Sequence, residues 1–258
     1  MGDLVSIIIP TFNSAPVLGE ALDSVVNQTY RPLEIITIDD CSGDDSYAFA
    51  KAYSQKHSSS EITFITLKNE INSGAGVTRN HGIKKSSGRY ISFLDADDLW
   101  KPEKLALQIE VMSSQNAAVA YGAYEIFSDN PARPHHLQNV PTMVDFPKML
   151  KANYVGMLTG IYDVSQLGKV YMPTIRKRQD WAMWLSITKT AGKAIGVQTV
   201  IASYRKGDGL SSNKLDLIKY NYMIYREYLG YTAMKSYLLM GRFLYEQFVV
   251  KKSYLEEL

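Results

Sequence analysis

Short apolar runs rich in isoleucine and valine alternate, in the N-terminal part of the chain, with stretches whose apolar positions recur at helical spacing. The apolar runs predict buried strands at 5–10, 33–39, 62–67 and 89–94. The stretches between and after them predict helices at about 14–28, 44–57 and 75–86. This alternation is typical of an α/β fold, in which helices flank a mainly parallel sheet.

The alternation continues less regularly in the second half. Proline fits the first turn of a helix, where no amide partner is needed, so Pro102 predicts a helix start. Apolar patterns predict strands at 119–127 and 194–204 and an amphipathic helix at 179–190. Between them, 128–141 contains three prolines and has the composition of a polar loop that includes His135 and His136.

The C-terminal part, from about Leu217, predicts one or two helices. We therefore expect a mixed, mainly parallel Rossmann-like sheet domain over 1–213 and a C-terminal helical extension over 214–258. A chain of 258 residues with 46% apolar residues suits this organisation.

Charge and cysteine content narrow the function classes. A net charge of +2 argues against a nucleic-acid binder that works through bulk positive charge. A lone cysteine, Cys41, excludes an internal disulfide and fits a reducing cytoplasm. The N-terminus carries the acidic Asp3 and lacks a signal-peptide pattern, and no apolar run approaches the roughly 18 residues of a membrane span. We expect a cytoplasmic protein that touches a membrane surface at most.

Polar side chains follow three of the predicted strands, at Thr11-Phe12-Asn13, at Asp39-Asp40 and at Asp95-Ala96-Asp97-Asp98. In open α/β sheets ligands bind beyond the carboxyl ends of strands. Helix capping or a solvated turn explains one such cluster, but three on one edge indicate a ligand site. Neighbouring carboxylates repel one another unless a cation or strong donors compensate them. The last cluster therefore predicts a bound cation.

Carboxylates suit a hard divalent cation such as Mg²⁺ or Mn²⁺. The sequence has no Walker loop, and the glycines of 73–82 fail the dinucleotide fingerprint because Arg79 stands where the third glycine belongs. These observations argue against a P-loop NTPase and a nicotinamide enzyme. A nucleotide whose diphosphate is bound mainly through a metal ion fits better.

Five segments in this order and spacing resemble family 2 glycosyltransferases, which are inverting enzymes with the GT-A fold, of the type that builds bacterial surface polysaccharides. They are VSIIIPTFN (5–13), EIITIDDCS (34–42), GAGVTRNHGI (74–83), GRYISFLDADD (88–98) and QDW (179–181). The resemblance covers roughly residues 4–213. It implies a nucleotide-sugar donor, with a UDP-sugar favoured, a saccharide acceptor and Mn²⁺ or Mg²⁺ as cofactor.

The resemblance also implies roles for individual residues. Thr11 and Asp40 would contact the nucleoside, together with Pro10, Phe12 and Asn13 of the same first loop. Arg79 would lie near the base or the diphosphate. Asp180 would be the catalytic base that takes the proton of the acceptor hydroxyl.

The segment Asp95-Ala96-Asp97 matches the family's DxD motif. Asp97 would hold the metal ion that bridges the diphosphate. Asp95 would reach the ribose, the donor sugar or a metal-bound water. Arg205 and Ser211, in the loop 204–213, would meet the diphosphate.

The sequence departs from the family pattern in two places. Cys41 stands where glycine is usual after the paired aspartates, so we expect a slightly altered turn. The loop 204–213 lacks the histidine that related enzymes often carry, which puts metal coordination from this loop in doubt.

The C-terminal extension has a distinct composition. Between Leu217 and Lys252, six basic residues face two acidic ones, and seven tyrosines are interleaved with apolar residues. Basic and aromatic side chains suit a membrane interface, where a lipid-linked acceptor would be found. A helical cap with tyrosines in a homodimer contact is an equally open alternative.

Two other functions compete with a glycosyltransferase. A sugar nucleotidyltransferase is disfavoured because the first loop is TFNSAP rather than glycine-rich and basic. A catalytically silent sugar- or membrane-binding module is disfavoured because such a protein has no need of Asp95, Asp97 and Asp180 together. Donor sugar, acceptor and linkage stay open.

Overall fold

The computed structural model describes residues 2–175, 177–207 and 214–258, with side chains described except at 214–217. Its strands are β1 (Val5–Thr11), β2 (Leu33–Asp39), β3 (Ile62–Lys68), β4 (Tyr90–Phe93), β5 (Leu99–Trp100), β6 (Val119–Phe127), β7 (His136–Gln138), β8 (Met143–Asp145), β9 (Ile161–Asp163), β10 (Lys193–Arg205) and β11 (Leu255–Glu257). Its α-helices are α1 (Leu18–Val26), α2 (Ser46–His57), α3 (Ala75–Lys85), α4 (Lys104–Ser114), α5 (Phe146–Met149), α6 (Val164–Leu167), α7 (Gln179–Ala191), α8 (Lys214–Met223) and α9 (Ala233–Tyr245).

The strands form one mixed sheet in the order β11-β7-β6-β9-β4-β1-β2-β3, with β10 pairing with β5, β6 and β8. The neighbours β4, β1, β2 and β3 run parallel. Antiparallel β9 joins β4 to β6, and β10 runs parallel to β6. The predicted fold class, a mainly parallel central sheet flanked by helices, is confirmed.

Several predicted elements differ at their ends or in kind. Helix α1 begins at Leu18 rather than near residue 14 because Ser14 forms a turn in which its carbonyl accepts the amides of Val17 and Leu18. The predicted polar loop 128–141 contains β7, so His136 lies in a strand and not in a loop. β7 has only three residues and exists because it pairs with β6 and β11, a cause that no local pattern records.

The C-terminal helices pack on the sheet domain through a shared core. Tyr225 and Phe243 are buried, and their ring centroids lie 5.7 Å and 5.5 Å from that of Trp181 in α7. None of the described helices is long and apolar enough to cross a membrane. The division into units at 213/214 stays a prediction.

A buried polar network holds the segment 158–160 against the sheet. Trp100, Gln108 and Ser92 donate to three successive carbonyls, those of Leu158, Thr159 and Gly160. Lys104 connects the network, since its Nζ donates to Ser92 Oγ at 3.1 Å and to Gln108 Oε1 at 2.8 Å. Burial lowers the pKa of Lys104 well below its usual range.

This lysine makes stability depend on pH. A base with a lower pKa in the folded state binds fewer protons there than in the unfolded chain. The free energy of unfolding therefore rises with pH until the pH reaches the pKa of the lysine in the unfolded chain, about 10.4. We expect the free energy of unfolding of wild type, minus that of Lys104→Met, to rise with pH by at most about 1.4 kcal/mol per pH unit. Urea unfolding at several pH values measures it. Lys85→Met, at an exposed lysine, is the control, and parallel profiles for wild type and Lys104→Met would contradict the assignment.

Candidate active site

The three strand-end clusters meet because β4, β1 and β2 are parallel neighbours. They form the wall of a cavity of about 600 Å³, here called the donor cavity. The predicted site residues that line it are Pro10, Thr11, Phe12, Asn13, Asp40, Arg79, Asp95, Ala96 and Asp97. The structure thus brings together nine residues from four separate segments of the chain.

The first loop is tied to the loop after β2. Asn13 adopts a left-handed backbone (φ 50°), its amide donates to Ser42 Oγ at 2.9 Å, and its side-chain oxygen accepts the Gly43 amide at 2.9 Å. Cys41 also has a positive φ of 62°, in the region that favours glycine. The predicted departure at Cys41 therefore falls at a backbone position where glycine is the easier residue.

Asp40 organises the start of α3. Its Oδ1 accepts from Asn69 Nδ2 at 2.8 Å and from the Ser73 amide at 3.0 Å, and its Oδ2 accepts the Gly74 amide at 2.8 Å. Burial acts to raise the pKa of Asp40, but these hydrogen bonds outweigh it and leave the pKa below the usual value. A carboxylate oxygen can accept two hydrogen bonds, so Oδ2 keeps capacity for a base imide.

The aspartates of the acidic cluster, Asp95, Asp97 and Asp98, differ in their interaction partners. Asp95 forms an ion pair with Arg79, whose Nε is buried without a hydrogen-bond partner among the described residues. Burial and the neighbouring Asp95 carboxylate raise the pKa of Asp97. Burial and Asp95 also raise the pKa of Asp98 well above its usual range, although Asp98 accepts the Arg205 amide at 2.9 Å.

Among the described residues no cluster of three or more His, Cys, Asp or Glu side chains can hold a metal ion. The pair Asp95 and Asp97 nonetheless fits a hard cation, because burial and the neighbouring Asp95 carboxylate raise the pKa of Asp97, and a cation would offset the repulsion between the two carboxylates. Mg²⁺ is usually bound through one or two carboxylates together with phosphate oxygens and water. Two carboxylates beside a cavity of about 600 Å³ match that arrangement.

Arg205 and Ser211 stand apart from the other predicted residues. The Arg205 guanidinium donates to Glu20 Oε2 at 2.5 Å and to the Asp97 carbonyl at 3.0 Å. Arg205 therefore holds the backbone of the loop that carries Asp95, Asp97 and Asp98, and it does not line the donor cavity. Ser211 lies outside the described residues, and the diphosphate roles of both stay predictions.

Asp180 lines a second cavity of about 450 Å³, here called the acceptor cavity. Arg79 and Asp95 line both cavities, so their ion pair forms the boundary between the donor side and Asp180. Asp180 lies in the first turn of α7, and this helix begins directly after Arg178, whose backbone is left-handed (φ 66°). Burial lowers the pKa of Arg178, and the Asp180 carboxylate partly offsets that effect.

Asn153 orients the Asp180 carboxylate. Its Nδ2 donates to Asp180 Oδ2 at 2.9 Å, which leaves Oδ1 for another donor. Lys251 in turn donates to the Asn153 carbonyl at 2.8 Å, and burial is the main cause that lowers the pKa of Lys251 to about 8. Sequence reasoning missed Asn153, Arg178 and Lys251, because no motif marks them and long stretches of chain separate them.

Removing the Asn153 side chain should slow the reaction without weakening the binding of the donor. We expect Asn153→Ala to lower kcat roughly tenfold, the effect of one hydrogen bond to a charged group, with an unchanged KM for the nucleotide-sugar. Steady-state kinetics measures both. Asn139→Ala, which removes an asparagine from a neighbouring cavity without touching Asp180, is the control. Equal kcat values for the two variants would refute the positioning role.

Comparisons with known proteins define the class. The family model "Glycosyl transferase family 2" matches residues 6–177. The "Putative teichuronic acid biosynthesis glycosyltransferase TuaG" of Bacillus subtilis is 34% identical over 234 residues, covering 90% of this chain and 91% of the relative. The "UDP-Glc:alpha-D-GlcNAc-diphosphoundecaprenol beta-1,3-glucosyltransferase WfgD" of Escherichia coli is 33% identical over 240 residues, covering 92% and 91%.

A solved structure supports the fold. S. aureus TarS (1–349) in complex with UDP-GlcNAc superposes with a TM-score of 0.71 at 19% identity, covering 95% of this chain and 73% of that one. The chain belongs to glycosyltransferase family 2. The predicted resemblance is confirmed, and the family membership favours a glycosyltransferase over a sugar nucleotidyltransferase.

Proposed function

We propose that this protein transfers a sugar, with inversion, from a UDP-sugar to a hydroxyl of a lipid-linked saccharide in bacterial surface-polysaccharide synthesis. One observation carries the proposal: the donor cavity and the cavity of Asp180 share the Arg79–Asp95 ion pair as a common wall. A donor bound on one side therefore faces a carboxylate on the other.

The relatives support the substrates. The printed name of WfgD gives UDP-Glc as donor and a GlcNAc-diphosphoundecaprenol as acceptor, and the TarS structure contains UDP-GlcNAc. We carry over the class of donor and the lipid-linked class of acceptor, and leave the particular sugars open. The lone Cys41 is compatible with a cytoplasmic location for the reaction.

The residues of the chain divide the chemistry between them. Asp40, at the floor of the donor cavity, would accept from the base, and Arg79 would place positive charge near the diphosphate. Asp180 would take the proton of the acceptor hydroxyl, which is a poor nucleophile until a base does so. One base suffices for direct displacement with inversion, because the donor already carries a good leaving group.

Asp97, with Asp95 beside it, would hold Mn²⁺ or Mg²⁺. When bound, the cation supplies charge stabilisation to the departing diphosphate. Arg79 forms an ion pair with Asp95, whereas Asp97 forms none with the residues that the structure describes. That asymmetry favours Asp97 as the principal ligand.

A donor screen tests the proposal. The full chain is incubated with UDP-sugars and GDP-sugars, with and without Mn²⁺, and release of nucleoside diphosphate is measured. We expect release from a UDP-sugar only when the metal is present. Absence of release from every donor, even with membrane extract as a source of acceptor, would favour a catalytically silent module instead.

A further inference from the structure

The outward side of α9 and of the helical turns that follow it carries a row of apolar side chains. The row consists of Met234, Tyr237, Leu238, Tyr245, Phe248 and Val249, which are between 53% and 75% exposed. We call this row the apolar face. It runs along roughly 25 Å of helix, as expected for a rise of about 1.5 Å per residue.

The spacing of these residues places them on one side of the helix. Steps of three, four and seven residues separate its members, which is the repeat of a single helical face. The opposite side of α9 is already used, because Leu239, Met240 and Phe243 are buried in the core. The helix is thus anchored to the protein by one face and presents a second apolar face outward.

The exposed charges of the helical segment that carries this face have one sign. From residue 233 to residue 252 the exposed charged side chains are Lys235, Arg242 and Lys252. The acid of this segment, Glu246, is buried, accepts a hydrogen bond from Tyr154 at 2.5 Å and pairs with Lys148. This acid is therefore neutralised inside the protein and the exposed charges of residues 233–252 are cationic, while the exposed acids Glu227, Glu256 and Glu257 lie before and after that range.

The apolar face ends beside the acceptor side of the site. Directly after it, Lys251 and Tyr254 line a small cavity that shares Tyr124 and Gly156 with the acceptor cavity. Lys251 also contacts Asn153, the residue that orients Asp180. A surface that binds the apolar face would thereby lie close to the acceptor cavity.

We propose that the apolar face of α9 docks on an anionic lipid bilayer and so holds the acceptor cavity at the membrane surface. Apolar and aromatic side chains of an amphipathic helix enter the boundary between headgroups and acyl chains, and basic residues beside them attract anionic lipid. A second copy of the chain fits less well. In a two-fold dimer the same surface meets itself, so the cations Lys235, Arg242 and Lys252 of both copies would be brought into one contact.

The link between the apolar face and the acceptor rests on the proposed function. The vesicle-binding test is independent of that function. The full chain is sedimented with vesicles of phosphatidylcholine alone and with vesicles that also contain phosphatidylglycerol. We expect binding to the anionic vesicles and a loss of that binding at high salt. Equal recovery with both vesicle types, or binding to neither, would overturn the proposal.

Two sets of substitutions separate the apolar and the charged contributions. Replacing Lys235, Arg242 and Lys252 with glutamine should weaken binding about fivefold per charge. Leu238→Ser together with Phe248→Ser should weaken it at least about tenfold. The controls are three exposed lysines and one exposed apolar residue elsewhere, changed in the same way: Lys51, Lys56 and Lys84 to glutamine, and Met143 to serine.

Two further measurements keep the outcomes distinct. Hydrolysis of a UDP-sugar in solution, without vesicles, should be the same in every variant, since none of the changed residues lines either cavity. Absence of UDP-sugar hydrolysis by the wild-type protein would count against the proposed function and would leave the vesicle-binding result intact. A dimer in light scattering that the apolar substitutions dissociate would identify the face as a contact between copies and overturn the lipid assignment.

Discussion

Asp180→Asn should lower turnover by about three orders of magnitude while leaving UDP affinity unchanged. Asparagine keeps the shape of the side chain and can still accept from Asn153, so the geometry of the first turn of α7 is preserved. It cannot take a proton from an acceptor hydroxyl, and general-base catalysis typically contributes 10²–10⁴-fold. Transfer kinetics and calorimetric titration with UDP measure the two quantities.

The control for this substitution is Asp129→Asn, at an exposed aspartate on the loop after β6. It makes the same chemical change away from both cavities and should have no effect on turnover. Near-normal transfer by Asp180→Asn would show that another group accepts the proton. Weakened UDP binding would instead place Asp180 on the donor side of the ion pair.

Asp97→Ala has the second-largest expected effect, and it acts on binding. We expect UDP affinity in the presence of Mn²⁺ to fall by at least roughly tenfold, the lower limit found for partners one shell further from a metal. Affinity without metal should stay the same or rise slightly, because one negative charge is removed near the diphosphate. The two titrations together isolate the metal-dependent part.

Asp129→Ala is the matched control, since it removes a carboxylate that lines neither cavity. An Asp97→Ala variant that retained full metal-dependent affinity would move the ligand role to Asp95 or to Asp98. The latter is buried and accepts the amide of Arg205, so it would need a rearrangement of that loop to reach an ion.

The donor side of the site could be predicted from the sequence because its elements are local. β1, β2 and β4 are continuous apolar runs, each followed at once by its polar residues. Parallel pairing of neighbouring strands then sets all three strand ends on one edge, so Thr11, Asp40 and Asp97 meet without any long-range information.

The acceptor side could not be predicted in the same way. Asp180 was identified only through its resemblance to a family motif, and its partner Asn153 lies in a loop without periodicity. Lys251 reaches the same place from the C-terminal segment, almost a hundred residues further along the chain. Such contacts depend on how α9 packs against α7, and packing of that kind is decided by tertiary structure rather than by local spacing.

The Arg79–Asp95 pair illustrates a limit of motif reasoning. The DxD resemblance assigns different roles to Asp95 and Asp97 but gives no physical reason for the difference, whereas the structure gives Asp95 a guanidinium partner and leaves Asp97 with a raised pKa. The two carboxylates therefore differ in charge balance. That difference comes from helix α3 lying beside the end of β4, which the one-dimensional pattern does not contain.

The most direct test of a joined donor and acceptor site is an experimental structure of the full chain with UDP and Mn²⁺. We predict that uridine occupies the donor cavity beside Asp40, that the ion contacts both Asp97 and the diphosphate, and that Asp180 faces the diphosphate across the Arg79–Asp95 pair. UDP bound elsewhere, an ion away from Asp97, or Asp180 turned out of the acceptor cavity would contradict this account.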